Sequence, residues 1–200
     1  MSATILYLHG FNSSPRSQKA SELRAWLPQI HADLELIVPE LGFDPDQAYS
    51  RAADIIQARA GQSLGLIGSS LGGFYATALS QRFGVPAVLI NPAVRPYDLL
   101  WDYLGPQHNP YTDEHYTLTE AHMAALKALE PECLSLPENL LLLLQTGDET
   151  LDYRDALAYY RGVPSWIQPG GDHRFQRLER VVPAMLAFLG MSPGAKGASD

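Results

Sequence analysis

Short, continuous apolar runs alternate with longer segments of helical periodicity in the first half of the chain. The runs cover residues 4–8, 34–38, 64–67 and 87–90. An apolar run of this length without alternation is typical of a strand that is buried on both faces of a sheet. The order of the segments therefore predicts strands that alternate with helices.

The segments between the runs carry signals for the beginnings and ends of helices. Residues 17–30 place apolar side chains at helical spacing. Asp44 begins a second helix, with Gln47 at the spacing of a capping box. A third helix follows the run at residues 64–67, and Gly84 ends it.

The last third of the chain continues the same alternation. Residues 140–145 and 165–168 are predicted strands, and residues 153–161 are a predicted helix between them. A final helix is expected from about residue 174 to residue 189, with a kink at Pro183. Six strands in total are therefore expected.

These elements predict an α/β fold, with a mostly parallel sheet of about six strands and helices on both faces. We expect residues 1–190 to form one domain of this kind, because a chain of this length fits a single core. Residues 93–137 interrupt the alternation and are rich in aromatic residues and proline. We interpret them as a small cap insertion that shapes the site, with packing over the sheet edge as the alternative. Residues 191–200 are expected to form a flexible tail.

Charge and cysteine content limit the classes of binding partner and the cellular compartment that we expect. The 200 residues carry a formal net charge of −8, which argues against nucleic acid and anionic membrane surfaces, because both need clustered Lys and Arg. Cys133 is the single cysteine and cannot form an internal disulfide, which fits a reducing compartment. The sequence shows no signal peptide and no apolar run near the roughly 20 residues of a membrane span. We therefore expect a cytoplasmic protein, and its oligomeric state stays open.

A catalytic motif follows the run at residues 64–67. Residues 68–72 match the pattern G-x-S-x-G between a predicted strand and a predicted helix, which is the context of a nucleophile elbow. In that turn the residues two before and two after the serine approach each other closely, so that both must be small. Gly68 and Gly72 meet this demand, and Ser70 becomes the candidate nucleophile. A glycine turn that only packs a helix on a strand is the alternative.

A second motif follows the first predicted strand. His9 and Gly10 form an H-G pair there, and in hydrolases with an elbow such a loop supplies a backbone N–H to the oxyanion hole. The donors would be the N–H groups of Phe11 and Leu71. We expect the side chain of His9 itself to have a structural role.

An acid and a histidine complete the candidate site. Asp148 follows the strand at residues 140–145, and His173 follows the strand at residues 165–168. The order Ser70, Asp148, His173 is the chain order of α/β-hydrolase triads, and carboxyl ends of parallel strands meet at one sheet edge. Three other carboxylates stay open as the acid: Asp152, Glu149 and Asp172.

The insertion also contains His108, His115 and His122. They could form a metal site, but their spacing matches no helical ligand pair and no H-E-x-x-H motif surrounds them. We interpret them as surface histidines and expect no metal and no cofactor.

With these residues identified, the chain resembles the α/β-hydrolases, and more narrowly the small bacterial YqiA/YcfP-like esterases. The resemblance rests on five stretches: residues 7–15, 68–73, 91–96, 145–154 and 170–173. It implies a compact α/β-hydrolase fold, a triad of Ser70, Asp148 and His173, and cofactor-independent hydrolysis of acyl esters or thioesters.

Other functions stay open at this stage. A non-catalytic α/β-hydrolase scaffold that binds a ligand or partner is one, although it would have no need of a full triad. A peptidase or a carbon–carbon-bond hydrolase using the same triad is another. The aromatic residues of the insertion suggest an apolar acyl group, and the leaving group is not specified.

Overall fold

The computed structural model describes residues 3–191, so that residues 192–200 of the predicted tail lie outside the described part. The helices are α1 Gln18–Ile30, α2 Pro45–Ala58, α3 Leu71–Phe83, α4 Pro96–Leu99, α5 Glu120–Leu129, α6 Tyr153–Tyr159 and α7 Val182–Phe188. The strands are β1 Ala3–Leu8, β2 Leu34–Ile37, β3 Leu64–Ser69, β4 Ala87–Ile90, β5 Gly105–Asn109, β6 Glu114–Leu118, β7 Leu140–Gln145 and β8 Ser165–Gln168. Within this part of the chain, no helix is long and apolar enough to cross a membrane.

Six of the strands form one sheet in the order β2-β1-β3-β4-β7-β8. Every neighbouring pair in this sheet is parallel, which confirms the predicted architecture. Strands β1, β3 and β4 are buried along their whole length. Both faces of these central strands are covered, and this is why they appear in the sequence as unbroken apolar runs.

Alternate side chains of the central strands point into two separate cores. Leu66 of β3 packs in the first core, with helices α2, α3, α5 and α6. Its neighbour Ile67 packs in the second core, with helices α1 and α7. Helices therefore cover both faces of the sheet, as predicted.

The carboxyl ends of the parallel strands lie along one edge of the sheet. The backbone N–H of Ser70, after β3, donates to the carbonyl of Ile90 at the end of β4 (3.1 Å). The N–H of Asn91, after β4, donates to the carbonyl of Leu143 in β7 (2.9 Å). These bonds join the successive loops, and the side chains that the loops carry converge.

The insertion at residues 93–137 contains more strand than its sequence suggests. Strands β5 and β6 pair as an antiparallel hairpin between α4 and α5. Helix α5 follows the hairpin, with Thr119 as its N-cap and His122 closing the capping box. That this segment acts as a cap stays a prediction.

The expected long helix at residues 174–189 is wrong in its first half. Phe175 and Arg177 have positive φ angles of 61° and 60°, which a right-handed helix cannot contain. The chain instead forms a loop and a 3-10 turn, Leu178–Arg180, before α7. Pro183 lies in the first turn of α7 rather than at a kink, where its missing N–H costs nothing. The expected inward side chains are nevertheless buried: Phe175, Leu178, Val182, Met185, Leu186 and Leu189.

Candidate active site

Ser70 stands on a strained turn between β3 and α3. Its φ and ψ angles are 56° and −123°, a region that costs a non-glycine residue roughly 1–3 kcal/mol. A Cβ on Gly68 would lie 2.2 Å from the carbonyl oxygen of Gly72, and one on Gly72 would lie 2.0 Å from the carbonyl oxygen of Leu8. Both glycines are therefore required, as the elbow motif predicts.

The loops after β3, β7 and β8 bring three polar side chains together. His173 Nε2 lies 3.1 Å from Ser70 Oγ. On the other side of the ring, His173 Nδ1 lies 2.9 and 3.0 Å from the two carboxylate oxygens of Asp148. A proton can therefore pass from the hydroxyl to an imidazole that the carboxylate orients.

Asp148 is held as a carboxylate. Its side chain is 3% exposed, and its Oδ1 also accepts the N–H groups of Thr150 and Leu151, at 2.9 Å each. Burial alone raises the pKa of such a group, but the hydrogen bonds from His173 and from the two backbone N–H groups outweigh it and lower the pKa of Asp148 below its usual value. The group is therefore ionised at neutral pH.

The competing carboxylates have other partners. Asp152 is the N-cap of α6, where it accepts the N–H of Arg154, and it also pairs with the guanidinium of that residue. Glu149 accepts the backbone N–H of His173 (3.0 Å). Asp172 accepts the backbone N–H of Arg174 (3.0 Å). None of the three contacts the His173 ring within the described residues.

Gln145, at the end of β7, holds the loop that carries His173. Its Oε1 accepts the N–H groups of Asp172 and Gln176 at 3.1 and 2.8 Å, and its Nε2 donates to the carbonyl of Gln176 at 2.7 Å. Gly171 makes room for this side chain, because a Cβ there would lie 1.9 Å from Gln145 Oε1.

Asn91 links the same loop to the centre of the sheet. Its Nδ2 donates to the carbonyl of Asp172 (3.1 Å), and its Oδ1 accepts the N–H of Gln145 (3.0 Å). Sequence analysis assigned neither Asn91 nor Gln145 a role in the site. One signal was available in the sequence, because Gln145 is the last residue of a buried strand and Asn91 directly follows another. A polar side chain at such a position can bond the neighbouring loops at the sheet edge.

The expected oxyanion donors lie beside the nucleophile. Gly10 approaches Ser70 so closely that an added Cβ would lie 3.2 Å from Ser70 Cβ. Phe11 lines the same cavity as Ser70, and Leu71 follows Ser70 directly in the chain. In the described part of the chain, neither N–H donates to a backbone acceptor outside the regular helices and strands. That the two N–H groups bind an oxyanion stays a prediction.

His9 is structural. Its side chain is 2% exposed, its Nδ1 lies 3.1 Å from the carbonyl of Gly10, and its Nε2 accepts the N–H of Leu41 (3.4 Å). Burial lowers the pKa of His9, which keeps the ring neutral. Its side chain holds the loop after β1 against the sheet. This loop, residues 9–15, is the candidate oxyanion loop and is called the oxyanion loop below.

A cavity of about 280 Å³ opens beside the nucleophile. Its wall includes Ser70 and His173, the loop after β1, the beginning of α1, and Tyr111 from the turn of the β5–β6 hairpin. The hairpin is fastened to the oxyanion loop, because Asn109 Nδ2 donates to the carbonyl of Ser13 (3.0 Å) and the Tyr116 hydroxyl donates to Asn12 Oδ1 (2.7 Å). The insertion therefore forms part of the wall of the site.

The histidines of the insertion lie apart from the triad. His122 accepts the N–H of Thr119 within the α5 cap (3.0 Å). His108 and His115 stack across the hairpin, and Asp113 contacts His108 at 2.8 Å. These two histidines and Asp113 offer one ligand atom each within 4.8 Å of one another, but all three are exposed. The predicted surface position is thus confirmed for His108 and His115, whereas His122 is half-buried. That the three histidines bind no metal stays a prediction.

A family model matches most of the chain. It spans residues 4–190 and carries the description "Uncharacterised protein family (UPF0227)". The match includes the elbow, the oxyanion loop and the loops of Asp148 and His173. It agrees with the YqiA-like family to which the sequence motifs point.

Several solved structures have the same fold, and two of them are described as hydrolases. A putative hydrolase from Agrobacterium vitis S4 is 21% identical, with a TM-score of 0.73, over 94% of this chain and 88% of that one. Est1E from Butyrivibrio proteoclasticus is 13% identical, with a TM-score of 0.69, over 94% and 88%. Mouse alpha/beta hydrolase domain-containing protein 10 is 15% identical, with a TM-score of 0.68, over 94% and 87%. At these identities the likeness establishes the fold.

Gly68→Ala is expected to lower the free energy of unfolding by roughly 2–4 kcal/mol, because its Cβ overlaps a backbone oxygen that cannot move without opening the elbow. Gly84→Ala is the control. Gly84 has a φ of 69° and nothing within 4 Å of an added Cβ, so that the cost there is about 1 kcal/mol from the left-handed backbone alone. Urea denaturation monitored by circular dichroism measures both, and equal losses would contradict the steric account of the elbow.

Proposed function

The chain belongs to the uncharacterised protein family UPF0227, and we propose that it is a serine hydrolase that cleaves carboxylic acyl esters or thioesters. The observation that carries the proposal is the continuous hydrogen-bonded line from Ser70 Oγ through His173 to Asp148, with distances of 3.1 and 2.9 Å. Ser70 is the nucleophile, His173 the general base and acid, and Asp148 the residue that orients the imidazole.

The first half of the reaction forms an acyl-enzyme. Ser70 Oγ attacks the acyl carbon while His173 Nε2 takes its proton, and Asp148 stabilises the imidazolium that results. The carbonyl oxygen becomes an oxyanion, which the N–H groups of Phe11 and Leu71 bind. When the tetrahedral intermediate collapses, the bond to the leaving group breaks and the leaving group takes the proton from His173.

Water completes the cycle. His173 takes a proton from a water molecule, the hydroxide attacks the acyl carbon, and Ser70 Oγ leaves with the proton that His173 returns to it. The products are a carboxylic acid and an alcohol or thiol. The proton balance of both halves is carried by His173, and this set of groups needs neither a metal nor an organic cofactor.

The names of similar structures support this chemistry. They include Est1E, bound to ferulic acid in one structure, the lipolytic enzymes LipS and LipT, and a carboxylesterase from Nitrososphaera gargenis. These activities belong to those proteins. For this chain they favour an ester over an amide as the bond that is cleaved.

We further propose that residues 93–137 act as a cap of a single domain formed by residues 1–190. Tyr111 lines the cavity at Ser70, and the hairpin contacts the oxyanion loop. Cytoplasmic location is also proposed, since Cys133 is an exposed free thiol, which suits a reducing compartment.

A fluorophosphonate probe is expected to label Ser70, because phosphonylation traps a serine that an adjacent base activates. Intact-mass spectrometry should show one adduct on the wild type, and none on Ser70→Ala or on heat-denatured protein. Ser69→Ala, which changes the neighbouring buried serine, serves as the matched control and should still be labelled. A folded wild type that resists labelling would favour the non-catalytic scaffold.

A panel of p-nitrophenyl esters, acyl thioesters and p-nitroanilides tests the bond that is cleaved. We expect the esters and thioesters to be hydrolysed, and the rate with Ser70→Ala to fall to the uncatalysed level. Faster cleavage of the anilides than of esters with the same acyl group would instead indicate a peptidase.

The choice of the acid is tested by Asp148→Asn beside Asp152→Asn. The first is expected to lower kcat by about 10³–10⁴-fold, because an amide can stabilise the wrong imidazole tautomer and no imidazolium. The second should change kcat by less than about threefold and lower the denaturation midpoint only slightly, since Asn caps a helix nearly as well as Asp and only the exposed ion pair with Arg154 is lost. A larger loss of kcat with Asp152→Asn than with Asp148→Asn would contradict the assignment.

A further inference from the structure

The cavity beside Ser70 is lined by polar and cationic groups, although the chain as a whole is acidic. Its wall carries both a lysine and an arginine in the same cavity as Ser70, beside aromatic surface from Tyr7, Phe11 and Tyr111. The polar groups of this wall are Ser13, Ser17, Lys19, His173 and Arg174. An apolar acyl group, which the aromatic insertion suggests, would leave the two cations without a partner in the substrate.

Lys19 is the central group. It is half-buried in the first turn of α1, and its Nζ donates to the carbonyl of Arg174 at 2.7 Å. An ammonium group has three N–H donors, so that this bond leaves donor capacity unused. Within residues 3–191, Lys19 takes part in none of the ion pairs. The charge is thus brought to the cavity without a carboxylate partner of its own.

Two further features add positive potential at the same place. Arg174 follows the catalytic histidine directly, is exposed, and likewise enters none of the ion pairs within residues 3–191. Ser17 is the N-cap of α1, yet its side chain makes no capping hydrogen bond, and the first turn of this 13-residue helix contains no acidic residue. The beginning of the helix, where the dipole is positive, therefore lines the cavity, and its first turn contains no acidic residue.

We propose that the substrate carries an anionic group a few bonds from the scissile ester, and that Lys19, Arg174 and the beginning of α1 bind it. The inference rests on the proposed hydrolase function, because it places the anion relative to the carbonyl that Ser70 attacks. A carboxylate is the simplest group of this kind. It can belong to the acyl part, as in a half-ester of a dicarboxylic acid, or to the leaving group.

The electrostatics of Lys19 agree with this role. Burial lowers the pKa of Lys19 to about 8, while Glu22, Asp172 and Asp148 act in the opposite direction and Arg174 adds to the lowering. A bound carboxylate would raise the pKa of Lys19 again, and the ammonium regains in the complex the favourable interaction that it lost on burial. An anionic group of the substrate would thus be the ion-pair partner of the Lys19 ammonium.

Two matched pairs of esters test the proposal by pH-stat titration at pH 7. Monoethyl succinate against ethyl pentanoate places the anion on the acyl part, and 3-acetoxypropanoate against butyl acetate places it on the leaving group. In at least one pair, we expect kcat/KM of the anionic ester to exceed that of its neutral counterpart by about 10-fold or more. The pair that shows the preference identifies which part of the substrate occupies the cavity.

Lys19→Met is expected to lower the anionic-to-neutral ratio of kcat/KM by about 10-fold, and Lys19→Arg should retain most of the preference. Arg174→Gln, at an exposed position, gives a second variant should Lys19→Met fold poorly, and the ratio should fall there too. Lys127→Met is the control for net charge, because Lys127 is exposed on α5 and does not line the cavity. Its ratio should equal that of the wild type.

The failures of the two proposals are distinguishable. Should the wild type hydrolyse neutral esters with no preference for either anionic partner, the anion site is overturned and the hydrolase function stands. Should it hydrolyse none of the esters, isothermal titration with succinate decides the anion site separately. Binding to the wild type that Lys19→Met weakens about 10-fold would support the site, and absent or unaffected binding would overturn it.

Discussion

The structure depends on one steric constraint, the passage of the backbone through the turn at Ser70. The carbonyl oxygens of Gly72 and Leu8 occupy the places where side chains at positions 68 and 72 would lie. The turn is therefore packed against the end of β1 as well as against its own helix, and the oxyanion loop that follows β1 begins at this contact. Strain at Ser70 can persist because β1, β3 and α3 together leave the chain no other path.

The position of the imidazole depends on hydrogen bonds rather than on steric exclusion. The loop of His173 is irregular and includes positive φ angles, so that no helix or strand geometry places it. Gln145 and Asn91 supply side-chain donors and acceptors to its backbone instead. Both stand at ends of buried central strands, which are the most rigid parts of the sheet. The sheet thus fixes the position of the His173 loop through two amide side chains.

The alternation of apolar runs and helical segments predicts the parallel sheet from local sequence, and the ends of parallel strands place Asp148 and His173 at one sheet edge. Chain order does not select the acid, because Asp152, Glu149 and Asp172 also lie between Ser70 and His173. The hydrogen bonds to His173 Nδ1 favour Asp148. Residues 174–177 are predicted as helix because Phe175 and Leu178 have helical spacing in the sequence, although the structure places these four residues in a loop. The left-handed backbone at Phe175 and Arg177 arises from tertiary bonds to Gln145, which local propensity does not contain. The β5–β6 hairpin was missed because only Asn109 and Leu118 of its strands are buried, so that no apolar pattern marks it.

The cavity wall carries positive charge although the chain as a whole is acidic. A net charge of −8 repels anions at long range, but screening limits that effect to about 10 Å at ordinary salt concentrations, whereas Lys19 acts inside a cavity where solvent screens less. Burying a lysine in the wall of this cavity costs solvation energy, which Glu22, Asp172 and Asp148 offset only in part, because the pKa of Lys19 remains lowered. A neutral donor could bond the carbonyl of Arg174 without that cost. An anionic group of the substrate would restore the interaction that burial removes, and this connects the composition of the cavity wall to the choice of substrate.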